Sequence, residues 1–267
     1  MINTEKQNLM PLQKRLALKL VNLHYQTQTG HLGCSLSCLQ LIIGFVLLNR
    51  DPKDVFILSK AHAGSALYVC LNELQEIDDQ ILATYMQNGT TLGVHPVANC
   101  FPRIKYTLGS LGHGLPIATG LALAKKLKKE SGLVIVLLSD GETNSGSCWE
   151  AMHFAKKHNL NNLVVIIDHN GFQGFGATAE VLGDTASPLL WRNFSNQLIE
   201  INGHDQIQIN NSLITAQNNS SSEPMIIIAN TIKGHGISFL ENSVAAHYQI
   251  LNEEQHKRAL LDLQKYA

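Results

Sequence analysis

Two apolar runs, each cut short by acidic or amide side chains, limit what this chain can fold into more than any other feature. The first, Val134-Ile135-Val136-Leu137-Leu138, ends in Ser139-Asp140-Gly141-Glu142. The second, Leu163-Val164-Val165-Ile166-Ile167, ends in Asp168-His169-Asn170-Gly171, and a helix-like segment lies between the two. Uninterrupted runs of this kind predict strands buried on both faces, and two of them joined by a helix predict a βαβ unit. Ligands bind open parallel sheets at the carboxyl ends of the strands. Asp140 and Asn170 stand at matching ends of neighbouring strands. Their oxygen donors suit Mg2+ or Ca2+ better than zinc, which favours nitrogen and sulfur.

The rest of the chain extends the same alternation. Leu12, Leu16, Leu20 and Leu23 share one face of a helix predicted over 9–25, and Ser35 is placed to cap a helix over 36–48. Val55 to Leu58 reads as a strand, followed by Ser59-Lys60-Ala61-His62 and a helix over 63–74. Asp78 or Asp79 starts a short helix to Met86. Residues 88–109 have no period and many turn residues; a loop of that length in a compact domain is usually functional, and it carries His95. A helix over 115–128 ends in lysines that suit its dipole. Gln197 to Ile201 and Met225 to Ala229 are further strands flanking a helix over 205–217. A polar loop covers 218–223, and a terminal helix 253–266. The sum is one α/β domain over residues 1–267, a mostly parallel sheet with helices on both faces.

Composition narrows the partners. The chain has 267 residues, 45% hydrophobic and 15% charged, with a net charge of -1. No basic run matches a nucleic-acid backbone. The early apolar stretch, 39–48, is half the length of a spanning helix, which needs about 20 residues. No hydrophobic leader precedes it, so a cytoplasmic protein is expected. Low charge with high apolar content points to surface covered by a partner. The five cysteines show no CxxC spacing and read as buried free thiols.

Glycines crowd the predicted strand ends and helix starts. Gly109-Ser110-Leu111-Gly112-His113-Gly114 is neither a Walker loop nor a dinucleotide fingerprint, and alone reads as a tight, closely packed turn. Ser147 and Glu150 form a Ser-x-x-Glu pair, the pattern of a capping box. Of the twelve histidines, His24, His153, His158, His204 and His256 read as helix-surface residues. His31, His62, His95, His113 and His247 lie in loops or at helix starts, where one sheet edge can gather them around a ligand.

Together these motifs resemble the transketolase family. Asp140-Gly141-Glu142, the Trp149-Glu150-Ala151 helix and Asn170 are similar to the thiamine-diphosphate motif, which reads Gly-Asp-Gly, a helix and strand, then Asn. Thr29-Gly30-His31, Phe56 to His62, Gly109-Ser110-Leu111-Gly112, Asp168 to Gln173 and Ile232 to Phe239 extend the resemblance over nearly the whole chain. It is closest to the amino-terminal half, which is a separate subunit in some split transketolases. The resemblance implies that Asp140, Asn170 and the Phe172 carbonyl bind Mg2+ or Ca2+. It implies that Gly141 admits the diphosphate, that His62 and His247 contact the diphosphate or the reacting centre, and that Gly109 and Leu111 hold the aminopyrimidine. His31 and His95 would face a sugar substrate, phosphorylated or modified, and move protons on its hydroxyls. The reaction implied is two-carbon ketol transfer from a ketose to an aldose. The glutamate that activates the cofactor belongs to a pyrimidine-binding domain, so a second chain carrying that domain is implied, in a dimer of heterodimers.

Five positions depart from the family pattern. Ser139 replaces its first Gly, Ser145 a Glu of the dimer-interface acidic cluster, Leu32 a Pro, Tyr248 a Gly and His113 the commoner Gln. A 2-oxoacid dehydrogenase or decarboxylase subunit is one alternative on the same module; a cofactor-binding paralogue without activity is another. The histidines and the Leu58-Ser59-Lys60-Ala61-His62 segment argue for ketol transfer.

Overall fold

The computed structural model describes residues 2–49 and 51–265, with side chains from Leu12 onward. Five strands form one sheet: β1 (Val55–Leu58), β2 (Val134–Ser139), β3 (Leu163–His169), β4 (Leu198–Asn202) and β5 (Met225–Asn230). All neighbours pair in parallel, in the order β1-β2-β3-β5-β4. The helices are α1 (Ile2–Thr27), α2 (Leu32–Ile42), α3 (Gly64–Glu73), α4 (Asp79–Leu82), α5 (Gly114–Lys128), α6 (Gly146–Lys157), α7 (Thr178–Val181), α8 (Pro188–Trp191), α9 (Gln206–Gln217) and α10 (Glu253–Lys265).

The apolar runs are continuous because both faces of the sheet are covered. Ile135, Leu137, Val164 and Ile166 pack into one core with Leu16 and Leu20 of α1, Leu36 and Leu39 of α2 and Ile209 of α9. Their sequence neighbours Val134, Val136, Leu138, Val165 and Ile167 pack into the other, with Ala118 and Ala122 of α5 and Met152 of α6. Alternate strand residues thus feed opposite cores, and each fully buried Val, Leu or Ile stabilises the fold by roughly 1.5–3 kcal/mol. The register pairs Leu58 with Leu137, Ser139 with Asp168 and His169 with Asn230, so the polar tails of four strands emerge on one edge.

Most predicted elements form within a few residues of their expected bounds; the bounds differ where caps decide them. Asp78 and Asp205 accept backbone N–H groups at the starts of α4 and α9. Ser35 does not cap α2. The helix starts at Leu32, after His31 in a left-handed conformation (φ 67°), and the Ser35 hydroxyl bonds the Ser65 hydroxyl instead. Its continuation is a π-helical turn, Ile43–Leu48. The predicted capping box at Ser147 and Glu150 is also absent. α6 begins at Gly146, and the Ser147 hydroxyl donates to the Gly112 carbonyl at 2.7 Å. The box forms one motif earlier, between Ser139 and Glu142, because Glu142 is the carboxylate buried among the strand ends. Ser139 has φ -94°, a conformation that needs no glycine. Tyr266, expected in α10, lies outside the described residues.

Candidate active site

Three of the predicted histidines meet. His31 precedes α2, His62 lies in the turn after β1 and His247 ends a 3-10 turn, Ala245–His247. Their ring centroids are 5.0 Å (His31–His247), 5.5 Å (His31–His62) and 5.5 Å (His62–His247) apart. The His31 N–H donates to the His247 carbonyl at 2.9 Å, tying two distant segments together. His95 is exposed at the margin, and a side chain on Gly109 would touch its ring at 3.4 Å. His113 stays apart, its Nδ1 3.2 Å from the Leu111 carbonyl, and Leu111 itself is exposed.

Burial lowers the pKa of each gathered imidazole. His31 falls to about 4 and His247 to about 3; His62 lies well below its usual range. Desolvation is the largest cause, joined by the other histidines and by Lys60 and Lys233. At neutral pH they are neutral, able to accept and return protons, and are not fixed cations.

Beside them lies an oxygen-rich cleft lined by Lys60, His62, Asp140, Asn170, Phe172 and His247. Its enclosed part is about 40 Å3, space for about three waters. Asp140, buried, accepts the Gly171 N–H and the Thr178 hydroxyl, each at 2.9 Å. It pairs with no cation among the described residues, and burial, then the charge of Asp168, raises its carboxyl to about 6. Asn170 donates from Nδ2 to Ser37 at 3.2 Å, while its Oδ1 accepts the Phe172 N–H at 3.1 Å. Asp140, Asn170 and the Phe172 carbonyl are all oxygen donors, a set that fits Mg2+ or Ca2+. The buried Gln173 Nε2 has no hydrogen-bond partner and borders the same cleft, a donor suited to an anion.

Charges that sequence reasoning passed over hold this edge together. Lys60 and Asp168 form a fully buried ion pair. Asp168 also accepts from Thr231 and, at 2.7 Å, from the Ser37 hydroxyl, so β1, β3, β5 and α2 converge on one carboxylate. Burial opposes both charges, but their mutual attraction outweighs it: Asp168 is held below its usual pKa and Lys60 above. Lys233 Nζ lies 3.3 Å from the Phe172 carbonyl and 3.0 Å from His247 Nδ1. Glu142 accepts from Ser59 (2.5 Å), Gly112 N and Ser139 N (both 3.0 Å). No sequence period marks these residues; each was legible only as a charge at a strand end.

The glycine-rich turn is demanded by packing, as its sequence alone suggests. Gly112 has φ 80°, and a Cβ there would lie 2.5 Å from Ser145 Cβ; at Gly114 it would lie 2.4 Å from Ser59 Cβ. At Gly141 a Cβ meets only Gln173, at 3.4 Å, so the protein itself does not require glycine there. Two histidines read as surface residues are not: His24 is buried and bonded to Ser65, and His204 stacks on His235 at 3.4 Å. Cys34, read as an inert core thiol, is buried but lines the cleft, with Sγ 3.4 Å from His247 Nδ1. A larger cavity of about 400 Å3 lies along β1, against residues 102–106, and contains none of these groups.

The family profile described as "Transketolase, thiamine diphosphate binding domain" matches residues 25–263. The chain belongs to the transketolase family. It is 35% identical over 260 residues to one of the two-part enzymes' chains, an apulose-4-phosphate transketolase subunit from Actinobacillus succinogenes, covering 94% of each. It is 34% identical over 247 residues to a 6-deoxy-6-sulfo-D-fructose transketolase subunit from a Clostridium species, covering 88% of this chain and 89% of that one. Transketolase from Leishmania mexicana shares the fold, with a TM-score of 0.85 at 21% identity over 96% of this chain. The chain spans only 41% of that transketolase's length, so in extent it corresponds to the amino-terminal subunit of a split transketolase. No helix among the described residues is long and apolar enough to cross a membrane.

Proposed function

We propose that this transketolase-family chain is the cofactor-holding subunit of an enzyme that moves a two-carbon ketol unit from a ketose, or ketose phosphate, to an aldose. The observation that carries the reading is the neutral His31–His62–His247 cluster directly beside an all-oxygen donor set. Asp140, Asn170 and the Phe172 carbonyl would hold Mg2+ or Ca2+ against the diphosphate. Lys233 and the unpartnered Gln173 Nε2 add donors for its oxygens. Gly141 leaves room for the approach of that anion. Gly109 and Leu111, exposed at the margin, would meet the aminopyrimidine. The chemistry supplied by bound thiamine diphosphate is stabilisation of the carbanion on the two-carbon unit. His31 and His95 would hold the sugar hydroxyls and accept their protons at an unprotonated ring nitrogen; His62 and His247 would do the same nearer the reacting centre.

The activating glutamate would come from a second chain that carries the pyrimidine-binding domain. The names of the two relatives, both called subunits, support a partner. So do the exposed Phe175, Leu182 and Leu189 following β3, at 89%, 63% and 77% exposure. The test is reconstitution. This chain, a partner chain with the pyrimidine-binding domain, thiamine diphosphate and Mg2+ should together turn over ketose and aldose, and either chain alone should not. Full turnover by this chain alone would refute the split arrangement. A mixture that consumes 2-oxoacids but no ketose would refute ketol transfer.

A further inference from the structure

A second donor set, of a different chemical kind, shares the cleft. His31, Cys34 and His247 each offer one ligand atom, and the three atoms lie within 4.8 Å of one another. A tetrahedral zinc site has bonds of about 2.3 Å to sulfur and about 2.0–2.1 Å to nitrogen, which separates neighbouring donors by about 3.3–3.6 Å. The Cys34 Sγ to His247 Nδ1 separation, 3.4 Å, already matches that spacing. His31 Nδ1 is buried and lacks a hydrogen-bond partner. His31 and Cys34 stand three residues apart across the start of α2, so one turn presents two of the ligands. The N–H of His31 on the His247 carbonyl then fixes the third against them.

We propose that His31, Cys34 and His247 form a binding site for a borderline-soft cation of the Zn2+ class, with the fourth position open to solvent. A thiolate with two imidazoles selects zinc where the oxygen set around Asp140 selects magnesium. On binding, the Cys34 thiol releases its proton to solvent and a metal–sulfur bond forms. Lys233, 3.0 Å from His247 Nδ1, must give up that contact. Occupancy withdraws two of the histidines assigned to proton transfer, so zinc and sugar turnover exclude each other. This last consequence rests on the proposed ketol transfer; the binding itself does not.

The binding is read from Co2+ added to the intact reduced chain in excess Mg2+. One equivalent should produce a near-ultraviolet thiolate-to-metal charge-transfer band and the visible bands of four-coordinate cobalt, both lost when Zn2+ is added. Cys34→Ser should abolish the charge-transfer band and weaken Zn2+ binding at least about tenfold, with an unchanged circular dichroism spectrum. Cys38→Ser, whose sulfur bonds the Cys34 and Ser35 carbonyls, should leave both intact. No charge-transfer band in the parent chain, or equal Zn2+ affinity in parent and Cys34→Ser, would overturn the site. In the reconstituted enzyme, micromolar Zn2+ should inhibit the parent and spare Cys34→Ser, each measured relative to its own rate; equal inhibition would overturn the exclusion. Absence of ketol transfer altogether would count against the function and leave the cobalt result standing.

Discussion

Asp140 and Asp168 leave neighbouring strands at one edge of the sheet, yet their surroundings are opposite. Asp168 is neutralised by Lys60 and accepts from Ser37 and Thr231, and its pKa is depressed. Asp140 receives only N–H and hydroxyl donors, and its carboxyl rises to about 6. The fold has used the first carboxylate to lock four elements together. The second is held in place without a counter-charge, which is the state expected of a group that meets its cation only when a ligand arrives. Burial alone therefore does not separate a structural acid from a functional one; the presence or absence of a protein cation does.

The largest expected effect that would break the contrast is on binding. Asp140→Ala should abolish Mg2+-dependent binding of thiamine diphosphate, by about a hundredfold or more, with the thermal unfolding midpoint little changed. Calorimetry with the partner present checks this, and unchanged cofactor affinity would remove Asp140 from the site. Lys60→Met should do the reverse. It strands a buried carboxylate, at a cost of roughly 3–5 kcal/mol, visible as a lower urea midpoint. A stability like the parent's would mean that the ion pair is not what joins the strands.

Glu142 is the intermediate case, a buried carboxylate satisfied by three hydrogen bonds. Glu142→Gln retains the shape but replaces an acceptor by a donor facing Ser59 or Ser139, and should cost about 1–3 kcal/mol. The smallest effect concerns His204, which burial and then His235 hold at about 3, despite the opposing charge of Asp168. Because this pKa is below the unfolded value of about 6.5, the unfolded chain binds the extra proton. Stability is therefore full above pH 6.5 and is lost as pH falls towards 3. His204→Gln should flatten that fall by up to about 1.4 kcal/mol per pH unit, measured by urea unfolding at pH 7, 6, 5 and 4. An unchanged slope would mean that Asp168 compensates its neighbour after all.

The strands of this fold were legible because a five-residue apolar run buried on both faces has no other soluble use. The metal-binding candidates Asp140 and Asn170 were legible because they interrupt such runs at matching positions. Helix starts were less so. Ser35 and Ser147 carry cap-like side chains, but each hydroxyl found a tertiary partner, Ser65 and the Gly112 carbonyl, that local pattern cannot reveal.

By itself, then, the sequence determined the alternation of strands and helices, the edge on which polar groups gather, and the family resemblance written in its ordered motifs. Only the tertiary structure decided which of those polar groups work together. It joined Lys60 to Asp168 across 108 residues and Cys34 to His247 across 213. It set His31, His62 and His247 around one cleft and left His113 outside it. The reason is physical: apolar periodicity is a local signal, repeated along the chain, whereas a charge or an imidazole acquires its pKa and its role from neighbours that only chain folding brings within a few ångströms.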